Sequence, residues 1–147
     1  MKKFRYRLET ILKLRVREEE KQAQALSQCQ RRVAQARQDL ERLDQEWREK
    51  SRVTATALAG DLDLPRTENR LDHLGRLLTV VSLRRTDLRL LETELTARLR
   101  KYHDAARERK TLERLRDIKH LEHQALRRRA ETSFFDFVGA TAVRRGV

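Results

Sequence analysis

His120 and His123 stand three residues apart with Glu122 between them, a spacing that on a helix sets two imidazoles side by side where they could share a metal ion. No third and fourth ligand accompanies them, so two solvated histidines are the simpler reading and no metal is expected. Cys29 is the only cysteine. It can form no disulfide within the chain, and a lone thiol on an apolar stripe serves as a small hydrophobe in a reducing cytosol. There is no Gly-rich phosphate loop, no CxxC pair, and no Ser or Cys beside a His in a strand-turn-helix context. The residues therefore point to no catalysis and to no cofactor.

Charge offers a different chemistry. The formal net charge is +12, with 35 Lys and Arg against 23 Asp and Glu, and it is unevenly placed. Residues 1–17 carry seven basic residues against Glu9, and residues 107–129 carry nine against Glu108, Glu113, Asp117 and Glu122. The stretch 18–106 is nearly balanced, seventeen against sixteen, and residues 130–147 cancel. The N-terminal Lys2, Lys3, Arg5 and Arg7, with Arg127, Arg128 and Arg129, could hold phosphates, and Phe4 and Tyr6 could stack on bases. The same patch suits an acidic protein cavity or an anionic membrane surface. Interspersed acidic residues, and the lack of a recognisable nucleic-acid module, weigh against nucleic acid as the partner.

The elements that must present these charges follow from an apolar stripe of coiled-coil spacing. It runs through Leu26, Cys29, Val33, Ala36, Leu40, Leu43 and Trp47, and returns through Leu71, Leu74, Leu78, Val81, Leu88, Leu91, Leu95 and Leu99. Between them lie Gly60, Asp61, Asp63 and the only proline, Pro65. The fold class expected is all-α: two long helices in an antiparallel coiled-coil hairpin, with the turn near Gly60–Pro65. Helix 1 is expected from about Phe4 to Ala59, and helix 2 opens around Thr67, a candidate N-cap, with Glu68 in its first turn. Helix 2 ends near Glu131.

Arg15, Glu19 and Gln22 fall on seam positions of helix 1, and such polar residues lower stability while setting register. The steps of four through Leu91, Leu95 and Leu99 predict a stutter in helix 2. Asp44–Arg48, Glu46–Lys50 and Glu94–Arg98 have the favourable acid-first order for pairs within a helix. With the turn near residue 62, opposing positions add to about 125, which sets Trp47 near Leu78, Leu26 near Leu99 and Leu12 near Glu113. Residues 4–17 then lie beside 107–129, so a rod about 80–90 Å long carries its basic excess at the open end. The domain expected is this rod over 1–131, with 132–147 as a flexible tail. The tail's Phe134, Phe135 and Phe137 read either as a frayed end or as a docking or membrane contact. No segment reaches the length of a membrane span, and the chain is expected in the cytoplasm.

The opening Phe4, Tyr6, Leu8, Ile11, Leu12, Leu14, Arg15, Glu18 and Glu19 resembles the start of the FliJ family of bacterial flagellar export proteins, F-x-Y-x-L-x-x-L-L-x-L-R-x-x-E-E. Lys110, Leu112, Glu113, Leu115 and Arg116 are similar to the family's late K-x-L-E-x-L-R segment. The resemblance implies a two-helix antiparallel coiled coil similar to the central stalk of rotary ATPases. It implies a component of the flagellar type III export apparatus whose open end enters the ring of the export ATPase FliI, and whose shaft engages the export gate protein FlhA. Export chaperones are further partners it implies, and the inner face of the cell membrane is the place of work.

On this reading Phe4, Tyr6, Leu8, Arg15, Lys110, Leu112, Leu115 and Arg116 face the ATPase, and Leu43 and Trp47 face the gate, although packing in the seam opposite Leu78 is the simpler reading of Trp47. The alternatives are the stalk of a virulence type III secretion system, which shares the build, a basic coiled coil that binds nucleic acid, and a purely structural coiled coil.

Overall fold

In the computed structural model, which describes residues 3–60 and 63–145, the chain is two helices: α1 (Glu9–Leu58) and α2 (Leu64–Arg145). They pair antiparallel as a hairpin, the expected all-α fold. Around the turn, Ala59 N–H donates to the Ala55 carbonyl at 3.2 Å and Gly60 N–H to the Ala57 carbonyl at 3.3 Å. Asp61 and Leu62 lie outside the described residues. The N-cap of α2 is Asp63 rather than Thr67: its carbonyl accepts the first helical bond, from Thr67 N–H at 3.0 Å. Pro65 then falls in the first helical turn, where a missing N–H costs nothing.

The chain divides into two units. In the first, Gln22–Tyr102, the expected stripe of α1 forms the seam, with Leu26, Cys29 and Val33 buried and Ala36, Leu40, Leu43 and Trp47 half-buried. Its facing stripe on α2 differs from expectation in three places, the first at Leu71, which is 51% exposed. Leu77 is buried, whereas Leu78, expected opposite Trp47, is 50% exposed. After Leu95 the seam continues through Arg98 and Tyr102, while Leu99 is 41% exposed. There is thus no stutter. Leu74, Leu77, Val81, Leu88, Leu91, Leu95, Arg98 and Tyr102 keep one uninterrupted heptad frame, and the aliphatic stem of Arg98 takes the place that Leu99 would break frame to fill.

Polar pairs across this unit mark the register. Arg32 reaches Glu94 at 3.4 Å, Arg37 reaches Glu92 at 2.7 Å, Arg85 reaches Asp44 at 2.9 Å, and Lys50 donates to His73 Nε2 at 2.8 Å. Their numbers pair as a turn near residue 62 requires. Each is an exposed pair that contributes little alone. Glu46–Lys50 and Glu94–Arg98 form within their helices, at 2.6 Å and 3.6 Å, but Asp44 turns across to Arg85 rather than along α1 to Arg48. Gly75 sits in the middle of α2 with open space where a Cβ would be. Gly75→Ala is expected to stabilise by about 1 kcal/mol and raise Tm by roughly 2–4 °C, measurable by thermal unfolding followed by circular dichroism.

The second unit, Met1–Lys21 with His103–Val147, buries Leu12 and Ala105. Here α1 starts later than expected, at Glu9. Leu8 supplies the first helical acceptor, to Leu12 N–H at 2.8 Å, and Glu9 N–H closes a turn on the Tyr6 carbonyl at 3.2 Å. Residues 3–6 are not helical. The reason lies in their period of two: Phe4, Tyr6 and Leu8 are half-buried while Lys3, Arg5 and Arg7 are exposed, the pattern of an extended segment against a surface. At the other end α2 continues beyond Glu131 to Arg145. Nothing from Ala130 to Val138 breaks a helix, and the hydroxyls of Thr132 and Thr141 bond back to carbonyls one turn earlier.

Candidate protein-interaction site

The extended residues 3–8 lie as a strap along α2. Tyr6 Oη donates to the Leu112 carbonyl at 3.1 Å. The Phe4 ring meets the His120 ring edge-on, centroids 4.9 Å apart, and tilts toward His123 at 5.5 Å. His120 is further fixed by the Gln124 amide, which donates to its Nε2 at 2.9 Å. The two histidines read from sequence as a possible metal pair thus form the aromatic bed for the strap. Among the described residues no three His, Cys, Asp or Glu side chains gather to hold a metal ion.

A cleft of about 990 Å³ opens beside the strap, with Phe4, Tyr6, Leu8 and Leu115 as its apolar lining and Lys3, Arg5, Arg7 and Lys119 among its charged residues. A second recess of about 640 Å³ takes in Arg5, Arg116 and His120 with Glu9 and Asp117. An apolar floor with a cationic rim suits an acidic protein segment that also offers a hydrophobic side chain.

Six of the eight residues expected to face the ATPase therefore belong to or adjoin the strap: Phe4, Tyr6, Leu8, Leu112, Leu115 and Arg116. Arg15 and Lys110 do not line either recess; Arg15 is held by Glu108 at 2.6 Å, and Lys110 is exposed on α2. Sequence reasoning read Lys3, Arg5 and Arg7 as part of a basic patch but missed Lys119 beside them and the extended rim they form, although the alternation of basic and apolar residues in K-F-R-Y-R-L carried the signal. Of the two residues expected to face the gate, Leu43 and Trp47, both are half-buried at the seam of the other unit, and Leu43 also borders a shallow groove with Ala36 and Leu91.

Below the strap the seam carries a polar layer. Arg109 occupies a heptad position of α2 and binds Glu19 across the seam and Glu113 on its own helix, the latter at 2.6 Å. The side chains of Arg109 and Glu19 are 24% and 16% exposed. Hydrogen bonds from Arg109 to Glu19, and next to Glu113, raise the pKa of the guanidinium above its ordinary value. The polar seam positions read at Glu19 and Arg15 thus have cationic or anionic partners on α2.

An antiparallel helical hairpin with a basic, apolar-floored cleft in one unit places the chain among the all-α coiled coils. The chain belongs to the FliJ family: the family model described as Flagellar FliJ protein matches residues 4–146, beginning at the strap's Phe4 and covering nearly the whole chain. It is therefore a protein associated with flagellar export. No curated protein and no solved structure matches the chain.

Proposed function

We propose that this chain is the stalk-like, non-enzymatic coiled coil of the flagellar type III export apparatus: the strap unit engages the ring of the export ATPase, and the Leu43 and Trp47 region of the hairpin engages the membrane export gate. The observation that carries this reading is the cleft beside the strap, where Lys3, Arg5, Arg7 and Lys119 surround Phe4, Tyr6, Leu8 and Leu115. Cations steer the unit toward an acidic or polar ring cavity, and the apolar floor supplies the contact that outlasts the encounter. Paired helices then carry a displacement at the ATPase toward the gate more faithfully than a loop would. Work at the inner face of the cell membrane and contact with export chaperones follow from the same role. No helix of the described residues is long and apolar enough to cross a membrane.

The test is ATP hydrolysis by the export ATPase of the same organism, titrated with this protein and with its Lys3→Glu, Arg5→Glu, Arg7→Glu variant. Saturable stimulation by the natural chain, weakened about tenfold or more by charge reversal, is expected. Absence of stimulation under conditions where the ring assembles would remove the stalk role.

A further inference from the structure

The seam face of α2 continues past His123 with no helix opposite it. Between Arg127 and Thr141 the helix stays exposed throughout, and Phe134, Phe135 and Phe137 are 62%, 70% and 67% exposed. Turning 100° per residue, Phe137, Thr141, Phe134, Val138 and Phe135 sweep about 160° of the helix circumference. Arg128, Thr132, Asp136, Arg129 and Ser133 occupy the remainder, and the paired Arg127 and Glu131 lie on the arc's line in the turns just before the phenylalanines. A seam that receives one partner helix is narrower, an a/d stripe within about 100°. A wide aromatic arc beside arginines suits a flat apolar medium with an anionic surface better than a groove.

The hydrogen bonding fits the same occupant. Thr141 donates to the Phe137 carbonyl at 3.0 Å, so its hydroxyl is satisfied inside the helix and its methyl group belongs to the arc. Glu131, the one acid on that side, is neutralised by Arg127 at 2.8 Å. Among the described residues Arg128 and Arg129 have no carboxylate partner shown, and the sequence continues with Arg144 and Arg145, so the aromatic stretch lies between two arginine clusters. Phe134 and Phe135 stand edge to face at 6.0 Å, a compact aromatic pair with nothing packed over it.

We infer that residues 127–141 of α2 form an interfacial membrane-binding helix, which lays Phe134, Phe135, Phe137 and Val138 into the headgroup boundary of an anionic bilayer while Arg128 and Arg129 meet lipid phosphates. The contact is with lipid itself and does not pass through a membrane protein. It is reversible: three phenylalanines and a short basic cluster give an attachment of the strength of a single acyl anchor with a basic patch, far short of a spanning helix.

Flotation of the full-length chain with vesicles tests it, using phosphatidylcholine alone and phosphatidylcholine mixed with phosphatidylglycerol. The natural chain is expected to float with the anionic vesicles and only weakly with the neutral ones. Phe134→Ala, Phe135→Ala, Phe137→Ala is expected to cut partitioning about tenfold or more with helicity and ATPase stimulation unchanged. Arg128→Gln, Arg129→Gln is expected to weaken binding to the anionic vesicles alone, and added salt to do the same. Failure to float with either vesicle, or flotation indifferent to the loss of the phenylalanines, overturns the inference. So does a dimer, seen by sedimentation equilibrium in the natural chain and lost in the phenylalanine variant, because a second copy would then cover the face.

Discussion

Glu19→Leu alone is expected to destabilise the hairpin by about 1–2 kcal/mol, while Glu19→Leu combined with Arg109→Leu is expected to be at least as stable as the natural chain. The single change leaves Arg109 at a seam position with its cross-helix partner gone and only Glu113 to bind. A fully buried pair broken in this way costs about 3–5 kcal/mol; here the side chains keep some access to water, so the cost is smaller. The double change replaces two partly desolvated charges by two leucines in a coiled-coil seam, which recovers apolar burial and removes the desolvation cost. Urea unfolding of the three proteins, read as the midpoint, decides it. Equal midpoints for the natural chain and the single variant would mean that the pair acts as an ordinary surface contact. The charged layer has a different merit: shifting α1 against α2 by one heptad sets Arg109 against Leu12 or Leu26 in place of Glu19, so the layer penalises wrong registers. The double leucine variant is accordingly expected to gain stability and to lose uniqueness, visible as self-association in sedimentation velocity.

The hairpin and its pairing were legible in the sequence because leucines and valines recur with coiled-coil spacing on both sides of one proline. The details that were not legible have three physical sources. Adjacent Leu77 and Leu78 offer the same hydrophobicity to two competing frames, and only extension of the heptad from Val81 in both directions selects Leu77. Arg98 and Arg109 read as solvent-facing by residue type, yet long aliphatic stems let them sit on a seam while their charged ends reach Glu94 and Glu19. The strap was absorbed into helix 1 because Leu8, Ile11 and Leu12 continue a helical face, which hid the period of two in the residues before them. Of the candidate site, Phe4, Tyr6 and Leu8 were read from the family's opening motif, and Leu112 and Leu115 from its late segment. The cationic rim and the two histidines under Phe4 depend on the strap being extended, and no helical reading brings them together.

Replacing Phe4 by alanine together with Tyr6→Phe is expected to release the strap while leaving the helices intact. The aromatic contact with His120 and His123 is worth about 0.5–1.5 kcal/mol, and the Tyr6 hydroxyl's bond to the Leu112 carbonyl about 0.5–1.5 kcal/mol. Losing both shifts the balance between docked and free strap by about tenfold or more, since 1.4 kcal/mol is a factor of ten. Leu112 keeps its place in α2, so no buried acceptor is abandoned and helicity by circular dichroism should stay unchanged. The direct readout is the proton resonances of the His120 and His123 rings. They lie 4.9 Å and 5.5 Å from the Phe4 ring, within reach of its ring current, and should move toward the values of exposed histidines in the variant. Resonances that do not move would mean the strap is free in the natural chain as well. The functional consequence follows from preorganisation: a docked strap holds Lys3, Arg5 and Arg7 around the cleft before any partner arrives, whereas a free one must be ordered on binding. The variant should therefore need about tenfold more protein to reach half-maximal ATPase stimulation while the plateau is kept. Charge reversal at the rim acts differently, because it leaves the strap docked and turns an attractive surface into a repulsive one. A lowered plateau with Phe4→Ala, Tyr6→Phe would assign the strap a part in the stimulated state itself, beyond recognition.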